Sequence, residues 1–392
     1  MCQVYSQIEA VSRIQLRKGA EMVVQNQQSG SPITVVHYYS SWLPRTMPWL
    51  YNLIRFLPSE VNNHIVCRKT ENLEQYQLPG IEVGSLAESV IKNKAQIVHS
   101  HFGNEGWRNI TTVKETGVKH VVSFYGLDVN RLPTINPKWK IRYQRMFDTV
   151  DAILCEGEHM VQCIINMGCP NEKVHVYHLG VDINRYVFQP RKWDTSQTLK
   201  VLISAGFKEK KGIPYALLAI ARLKRRGYIS NIQVTIIGYA NPSKQRMVEE
   251  KERIMRIIEE HNLSENVRLL GYQKHDVLME EAYKHHLFIS PSVTAKDGDT
   301  EGGAPVAILE MAATGMPIVS TTHCDIPGVL GATNRALLVE ERDVRALSKE
   351  ILQILSMSSW DAMVTENRRH IEQYFSASTQ GKVLADIYRK LL

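Results

Sequence analysis

Residues Ser290 to Gly315 read SPSVTAKDGDTEGGAPVAILEMAATG, and this stretch decides how the chain is folded and what it handles. The run before it, HHLFIS (residues 285–290), turns apolar just ahead of Pro291, as a short interior strand does. Pro305 then suits a first helical position, where its missing N–H costs nothing, and the spacing predicts a helix from Pro305 to Thr314 that stops at Gly315. Between strand and helix, Gly302 and Gly303 free the backbone. Its N–H groups and the positive end of the helix can then face an anion, most simply a phosphate. Glu301 opens the loop and Glu310 follows nine residues later, inside the helix. Phosphate repels a carboxylate, whereas the hydroxyls of a sugar or ribose donate to one. Phosphate between two sugars describes a nucleotide-sugar. A glycine-rich strand-loop-helix is also common in ordinary α/β proteins, and carboxylates near a helix start often serve only the dipole. DGDTEGG as a calcium loop fails, because its twelfth position is Ile308 and not a glutamate.

With 392 residues the chain can build about two domains with full cores. Its 44% hydrophobic and 22% charged residues are ordinary for a globular protein. No apolar run is long enough to span a bilayer, and the N-terminus lacks the basic-then-apolar order of a secretory signal, so a cytoplasmic location is expected. The six cysteines are scattered without a CxxC pair, which speaks against a zinc site or a disulfide framework. A net charge of +7 is too modest to predict nucleic-acid binding.

Strand-like segments recur along the chain: 33–38, 64–67, 95–99, 118–124 and 152–155, then 199–204, 232–237, 267–270, 287–290 and 317–321, with helical windows between them. Such alternation argues for parallel sheets covered on both faces. Residues 1–32 read as an N-terminal extension, 33–188 as one Rossmann-like domain, 189–198 as a linker, 199–375 as a second such domain, and 376–392 as a terminal segment whose helix packs back on the first domain. The expected fold class is therefore α/β, two doubly wound domains facing each other across a cleft at the carboxyl edges of their strands.

The loops at those edges carry the candidate chemistry. Strand LKVLIS is followed by AGFKEKKG, residues 205–212, where Lys211 beside Gly212 reads as a functional cation and Lys208 and Lys210 as a solvated basic turn. In the first domain, HSHFG (99–103) and FYGLD (124–128) bring His101 and Asp128 toward the cleft, while His99 reads as a core-edge residue. Gly180 in HLGVD permits a close approach by a ligand or a turn of positive φ. RLPTINPKWKIRYQR, residues 131–145, carries five basic residues and no acid, with Trp139 and Tyr143 interleaved. It could rest on anionic lipid, hold an acidic acceptor, or be a plain solvated face.

Taken in order, HSHFG, SFYGLD, HLGVD, AGFKEKKG, SPSVTAKDGDTEGG, PVAILEMAATGMPIVST and HCDIP resemble the landmarks of the retaining glycosyltransferases of family 4, over about residues 33–350. The nearest likeness is to members that assemble bacterial exopolysaccharide or other cell-surface glycans. The resemblance implies a GT-B fold, with the acceptor on the first domain and a nucleoside-diphosphate sugar on the second. It implies sugar hydroxyls on Glu301, ribose on Glu310, and diphosphate on the backbone N–H groups of Gly302, Gly303 and Ala304, at the helix start near Pro305. Lys211 would be the cationic clamp, and Gly206 and Lys208 would flank the phosphates. Gly271, Tyr272 and Gln273 would flank the base, and His101 and Asp128 would orient sugar and acceptor. No metal or other cofactor is implied; the partners are a glycan or lipid-linked glycan acceptor, with peripheral contact at the inner face of the cell membrane.

Four positions depart from the family pattern. Phe207 follows Gly206 where an arginine is usual, and Lys208 lacks that residue's bidentate fork. Glu301 and Glu310 are nine apart instead of eight, Tyr125 stands where a histidine is common, and Gly328 replaces an acid. Three readings stay open on the sequence: an active glycosyltransferase, a paralogue that binds nucleotide-sugar but transfers poorly and acts as a partner subunit, and a nucleotide-sugar epimerase. The lysine loop and EGGAPVAILE fit the epimerase least.

Overall fold

The computed structural model describes residues 31–44 and 47–392. Most of the N-terminal extension, residues 1–30, lies outside the described residues.

Fourteen strands fall into three parallel groups among the described residues. In chain order they are β1 (Ile33–Tyr38), β2 (Ser41–Trp42), β3 (Val61–Cys67), β4 (Lys69–Thr70), β5 (Ile81–Val83), β6 (Ile97–His101), β7 (Lys119–Ser123), β8 (Ala152–Cys155) and β9 (Val174–Val176). The later ones are β10 (Leu199–Ser204), β11 (Ile232–Ile237), β12 (Val267–Gly271), β13 (Leu287–Ser290) and β14 (Ile318–Ser320). The first sheet runs β5-β3-β1-β6-β7-β8-β9 and the second β12-β11-β10-β13-β14, while β2 and β4 pair separately. In both large sheets the order reverses beside the first strand, which places the ligand crevice at the strands' carboxyl ends. The central strands are short apolar runs buried on both faces: Val35, Val36, Ile97 and Val98 in one sheet and Leu199, Leu202 and Phe288 in the other are fully enclosed.

Strand 95–99 of the sequence reading begins two residues later and runs on to His101, so His101 ends a ladder instead of starting a loop. The helix expected from Pro305 spans Val306–Ala313, and Pro305 caps it with extended backbone at φ −57, ψ 125.

The segment between the sheets is pinned. Arg191 is buried, and its guanidinium donates to the carbonyls of Ala282, His285 and Thr314 while lying 4.9 Å from the Tyr283 ring. The last helix, Ala377–Leu391, starts on a Ser376 cap and sends Leu384, Ala385 and Tyr388 into the first sheet's core. Gly381 has to be glycine, since a Cβ there would come within 2.0 Å of the Phe56 carbonyl oxygen. Gly180 also serves a close approach, but to the chain's own backbone: a Cβ would sit 2.5 Å from the Ala377 Cα.

Candidate functional site

Glu301 stands at the centre of the cleft wall. Its Oε2 accepts from Lys211 Nζ at 2.7 Å, and its Oε1 accepts from Ser292 Oγ at 2.9 Å. Burial alone would raise its pKa, but the Lys211 and Lys210 ammoniums outweigh that and hold it at about 2. It is therefore an ionised, acceptor-only group, as a partner for sugar hydroxyls must be. The Glu301 N–H donates to His323 Nε2 at 3.1 Å, so His323 carries its proton on Nδ1, which meets Glu341 Oε1 at 2.5 Å.

Lys211 is aimed by its neighbour. Gly212 has φ +64, and a Cβ there would lie 1.8 Å from the Pro291 carbonyl oxygen, so the 3₁₀ turn Glu209–Lys211 is clamped against the end of β13. Lys210, expected to be solvated, is buried instead: its Nζ donates to Asp299 Oδ1 at 3.1 Å and to the Thr300 carbonyl at 2.6 Å. Burial works against its charge, yet Glu301 and Asp299 raise its pKa overall. Lys208 remains exposed along its length. It lines the cavity beside Lys210, and desolvation followed by repulsion from Lys210 and Lys211 lowers its pKa to about 8. A Cβ at Gly206 would meet nothing closer than 3.7 Å, so that position places no strict demand for glycine.

The glycine pair does two things. Gly302 has φ +82 and abuts Gly126 of the first domain, where a Cβ would lie 2.3 Å from the Gly126 Cα; its N–H turns back to Thr300 Oγ1 at 3.2 Å. The N–H groups of Gly303 and Ala304, like those of Val306 and Ala307 that follow, have no acceptor among the described residues. They lie at the head of the helix Val306–Ala313, beside the Lys211–Glu301 pair. Two unbonded N–H groups, a helix start and an ammonium make an anion cradle.

Glu310 lies one turn further into the helix, nearly buried, and its Oε1 accepts from Tyr186 Oη at 3.0 Å and meets His275 Nε2 at 3.1 Å. Gly271 ends β12 at φ +67, Gln273 Nε2 donates to the Leu270 carbonyl at 2.6 Å, and Tyr272 meets Tyr239 edge-on at 5.6 Å. These residues form the outer end of the same cleft edge.

The first-domain candidates lie deeper than expected. Asp128 is wholly buried, with Oδ2 accepting from the Gly103 N–H at 2.6 Å and Oδ1 from the Tyr125 N–H at 2.9 Å. Burial pushes its pKa up to about 6. Both oxygens serve the backbone, so Asp128 holds two cleft loops together instead of reaching a substrate itself. His101 is equally enclosed, joined to Tyr125 Oη at 2.7 Å and to His37 at 3.1 Å. Tyr125, in the place of a familiar histidine, is thus fixed by one. His37 also meets Asn63 at 3.1 Å, while His99 bonds Tyr388 at 2.6 Å and Ser123 at 2.7 Å. The ligand atoms of His37, His99 and His101 lie within 4.8 Å of one another, close enough for a metal, but every ring nitrogen of the three already has a protein partner.

The two domains touch directly. Asn130 Nδ2 donates to Thr300 Oγ1 at 2.6 Å, Arg131 pairs with Asp297 at 2.5 Å, and the Asp325 carboxylate accepts from the His159 N–H at 2.8 Å. Beside these contacts a cavity of about 1030 Å³ is lined by Arg131, Lys208, Lys210 and Asp297 among others. Lys210, Asp299, His323, Tyr186 and Asp325 escaped the sequence reading as site residues, although HCDIP and DGD had marked the neighbourhood of three of them.

Two doubly wound domains whose carboxyl edges meet at an anion cradle define the GT-B class of group-transfer enzymes. The family described as "Glycosyltransferase Family 4" matches residues 49–185, and that described as "Glycosyl transferases group 1" matches residues 188–374. The chain is 30% identical over 308 residues to a protein of Escherichia coli named for colanic acid biosynthesis, covering 76% of this chain and 71% of that one. It is also 30% identical over 301 residues to the amylovoran biosynthesis glycosyltransferase of Erwinia amylovora, covering 76% and 70%. The chain belongs to the family 4 glycosyltransferases. Among solved structures, Anabaena HepE in complex with UDP superposes with a TM-score of 0.74 at 15% identity, over 91% of this chain and all (100%) of that one. The sucrose-phosphate synthase of Thermosynechococcus elongatus gives 0.69 at 15% identity, over 92% and 99%; at these identities the likeness concerns the fold.

Proposed function

We propose that the protein transfers a sugar, with retention at the anomeric carbon, from a nucleoside-diphosphate sugar to a hydroxyl of a glycan or lipid-linked glycan in exopolysaccharide assembly. The observation that carries this reading is the pair of unbonded N–H groups at Gly303 and Ala304, set at a helix head beside Lys211. The relatives named for colanic acid and amylovoran, and the solved neighbours holding UDP and UDP-glucose, support the same substrate classes.

As the bond from anomeric carbon to diphosphate breaks, negative charge collects on the leaving phosphate. Lys211, paired with Glu301, and the two N–H groups at the helix head would stabilise that charge. Lys211 pairs with Glu301, so a diphosphate would have to share the ammonium, and Glu301 would then be free to accept from the sugar's hydroxyls. The glycine turn and the helix hold these groups in place before the donor arrives, so little reorganisation is left for the reaction itself. Glu310, steadied by Tyr186 and His275, would take the ribose. Attack from the face the diphosphate leaves needs no protein base, and an ammonium with backbone N–H groups supplies the positive charge without a metal; transfer should therefore persist in excess chelator.

The acceptor would lie on the first domain, against the Trp49, Phe102 and Tyr125 rings, which pack within 4.4 to 6.4 Å of one another. The helix Lys138–Phe147 exposes Ile141 between Lys138, Lys140 and Arg145, a face suited to anionic lipid at the inner side of the membrane. Among the described residues no helix is long and apolar enough to cross a membrane.

Lys211→Ala is expected to lower transfer by at least about a hundredfold. A melting curve would stay near that of the parent, because Lys210 still faces Glu301. Near-normal turnover would remove Lys211 from the mechanism. Tight binding of UDP-, GDP- or ADP-sugars by the parent with no turnover on any acceptor would instead favour the partner-subunit reading.

A further inference from the structure

Glu156 leaves the carboxyl end of β8, and its surroundings fix it from both sides. Its carbonyl accepts from His178 Nδ1 at 2.6 Å, and the next residue, Gly157, leaves space that the Asp325 carboxylate fills, at 2.4 Å from where a Cβ would be. The Glu156 side chain reaches across the domain boundary onto the donor loop: a Cβ on Gly303 would lie 2.1 Å from Glu156 Oε2. The absence of a side chain at Gly303 is thus the space this carboxyl occupies. Among the described residues it has neither an ion pair nor a hydrogen bond of its own.

Its charged neighbours come from every element around it. Asp325 faces it from the second domain, Asp128 from the loop after β7, and Glu301 from the donor loop. Lys210 is the one cation among them, and it is engaged by Asp299 and Thr300. Burial first, then this acidic company, raises the Glu156 carboxyl well above the usual range and so favours its neutral form. An ionised carboxylate here would repel a diphosphate, whereas a protonated one presents an O–H to it.

We propose that Glu156 binds the leaving group: from the first domain its carboxyl O–H donates a hydrogen bond to an oxygen of the diphosphate held at Gly303 and Ala304, a contact available only while the domains are closed. No bond to the proton breaks in this step; it stays on Glu156 while charge develops on the phosphate oxygen it faces. The inference rests on the diphosphate reading of that loop.

The test compares the parent with Glu156→Gln and Glu156→Ala by titration with UDP, GDP and ADP from pH 6 to 10 and by transfer rates over the same range. Glutamine keeps a neutral donor of the same length. The expected result is near-parental affinity for Glu156→Gln at neutral pH, with the parent's loss of affinity at alkaline pH reduced in that variant, and a loss of roughly tenfold or more for Glu156→Ala at neutral pH. Parental affinity in Glu156→Ala, or an unchanged alkaline loss in Glu156→Gln, would overturn the proposal. If the parent itself binds none of the three nucleotides, the diphosphate reading of the loop falls, and Glu156's role with it. Binding by the parent that is indifferent to Glu156 overturns this inference alone.

Discussion

Gly212 determines where Lys211 can be. The 3₁₀ turn Glu209–Lys211 packs so tightly on Pro291 that any side chain at Gly212 collides with a carbonyl, and φ +64 would strain it further. Gly212→Ala is therefore expected to cost at least about 2 kcal/mol of stability, read as a lower midpoint in urea, and to weaken nucleotide binding with it. An unchanged midpoint would show that the turn can move. The sequence singled out Lys211 beside its glycine, and in the structure its ammonium pairs with Glu301. Lys210 was not singled out, because a run of KEKK does not say which ammonium turns inward; only the tertiary neighbours Asp299 and Thr300 decide that. Asp128 was expected to reach the cleft, but its carboxylate is committed to the Gly103 and Tyr125 backbone, partners that a motif cannot reveal.

At the scale of elements, the helix Val306–Ala313 was readable almost to the residue, since proline and glycine mark its ends directly. The helix Glu158–Asn166 shows the opposite case: its own N-cap is Gly157, with no side chain to offer, and the cap comes from Asp325, 166 residues away in the chain. HCDIP drew attention to Asp325 without showing what the residue holds. Asp325→Ala is expected to cost about 1 kcal/mol through the lost cap, and Asp325→Asn distinctly less, because asparagine caps as well as aspartate. Since the cap joins the two domains, scattering in solution should also show a larger radius for the alanine variant. Equal stability and equal radius in parent and alanine variant would remove Asp325 from the closure. The three-residue strands Ile81–Val83 and Val174–Val176 were missed for another reason: each lies at a sheet edge and is too short to show a periodicity.

Across the whole molecule, alternation of strands and helices was enough to predict two doubly wound domains, because parallel strands buried on both faces are plainly apolar. The histidine cluster beneath the first domain's cleft was not predictable from spacing. It joins β1 and β6 to the last helix through His99 and Tyr388, and it should govern the protein's tolerance of acid. Burial lowers His37 and His120 to about 4 and drives His99 and His101 down as well. Each is protonated more readily in the unfolded chain, so their stabilising share is intact above about pH 6.5 and is lost as pH falls toward 4, by up to about 3 kcal/mol for His37. Asp128, whose pKa is raised, works in the opposite sense over part of that window. The decisive comparison is therefore the slope of unfolding free energy against pH in the parent and in His37→Gln: the variant should be the flatter between pH 6.5 and 4, and equal slopes would contradict this account.

The cleft itself is tested most directly by a crystal structure of the protein soaked with whichever of UDP, GDP and ADP binds best. The diphosphate should lie within hydrogen-bond distance of Lys211 Nζ and the N–H groups of Gly303 and Ala304, with the ribose on Glu310. A nucleotide bound elsewhere, with Lys211 still wholly engaged by Glu301, would contradict the assignment.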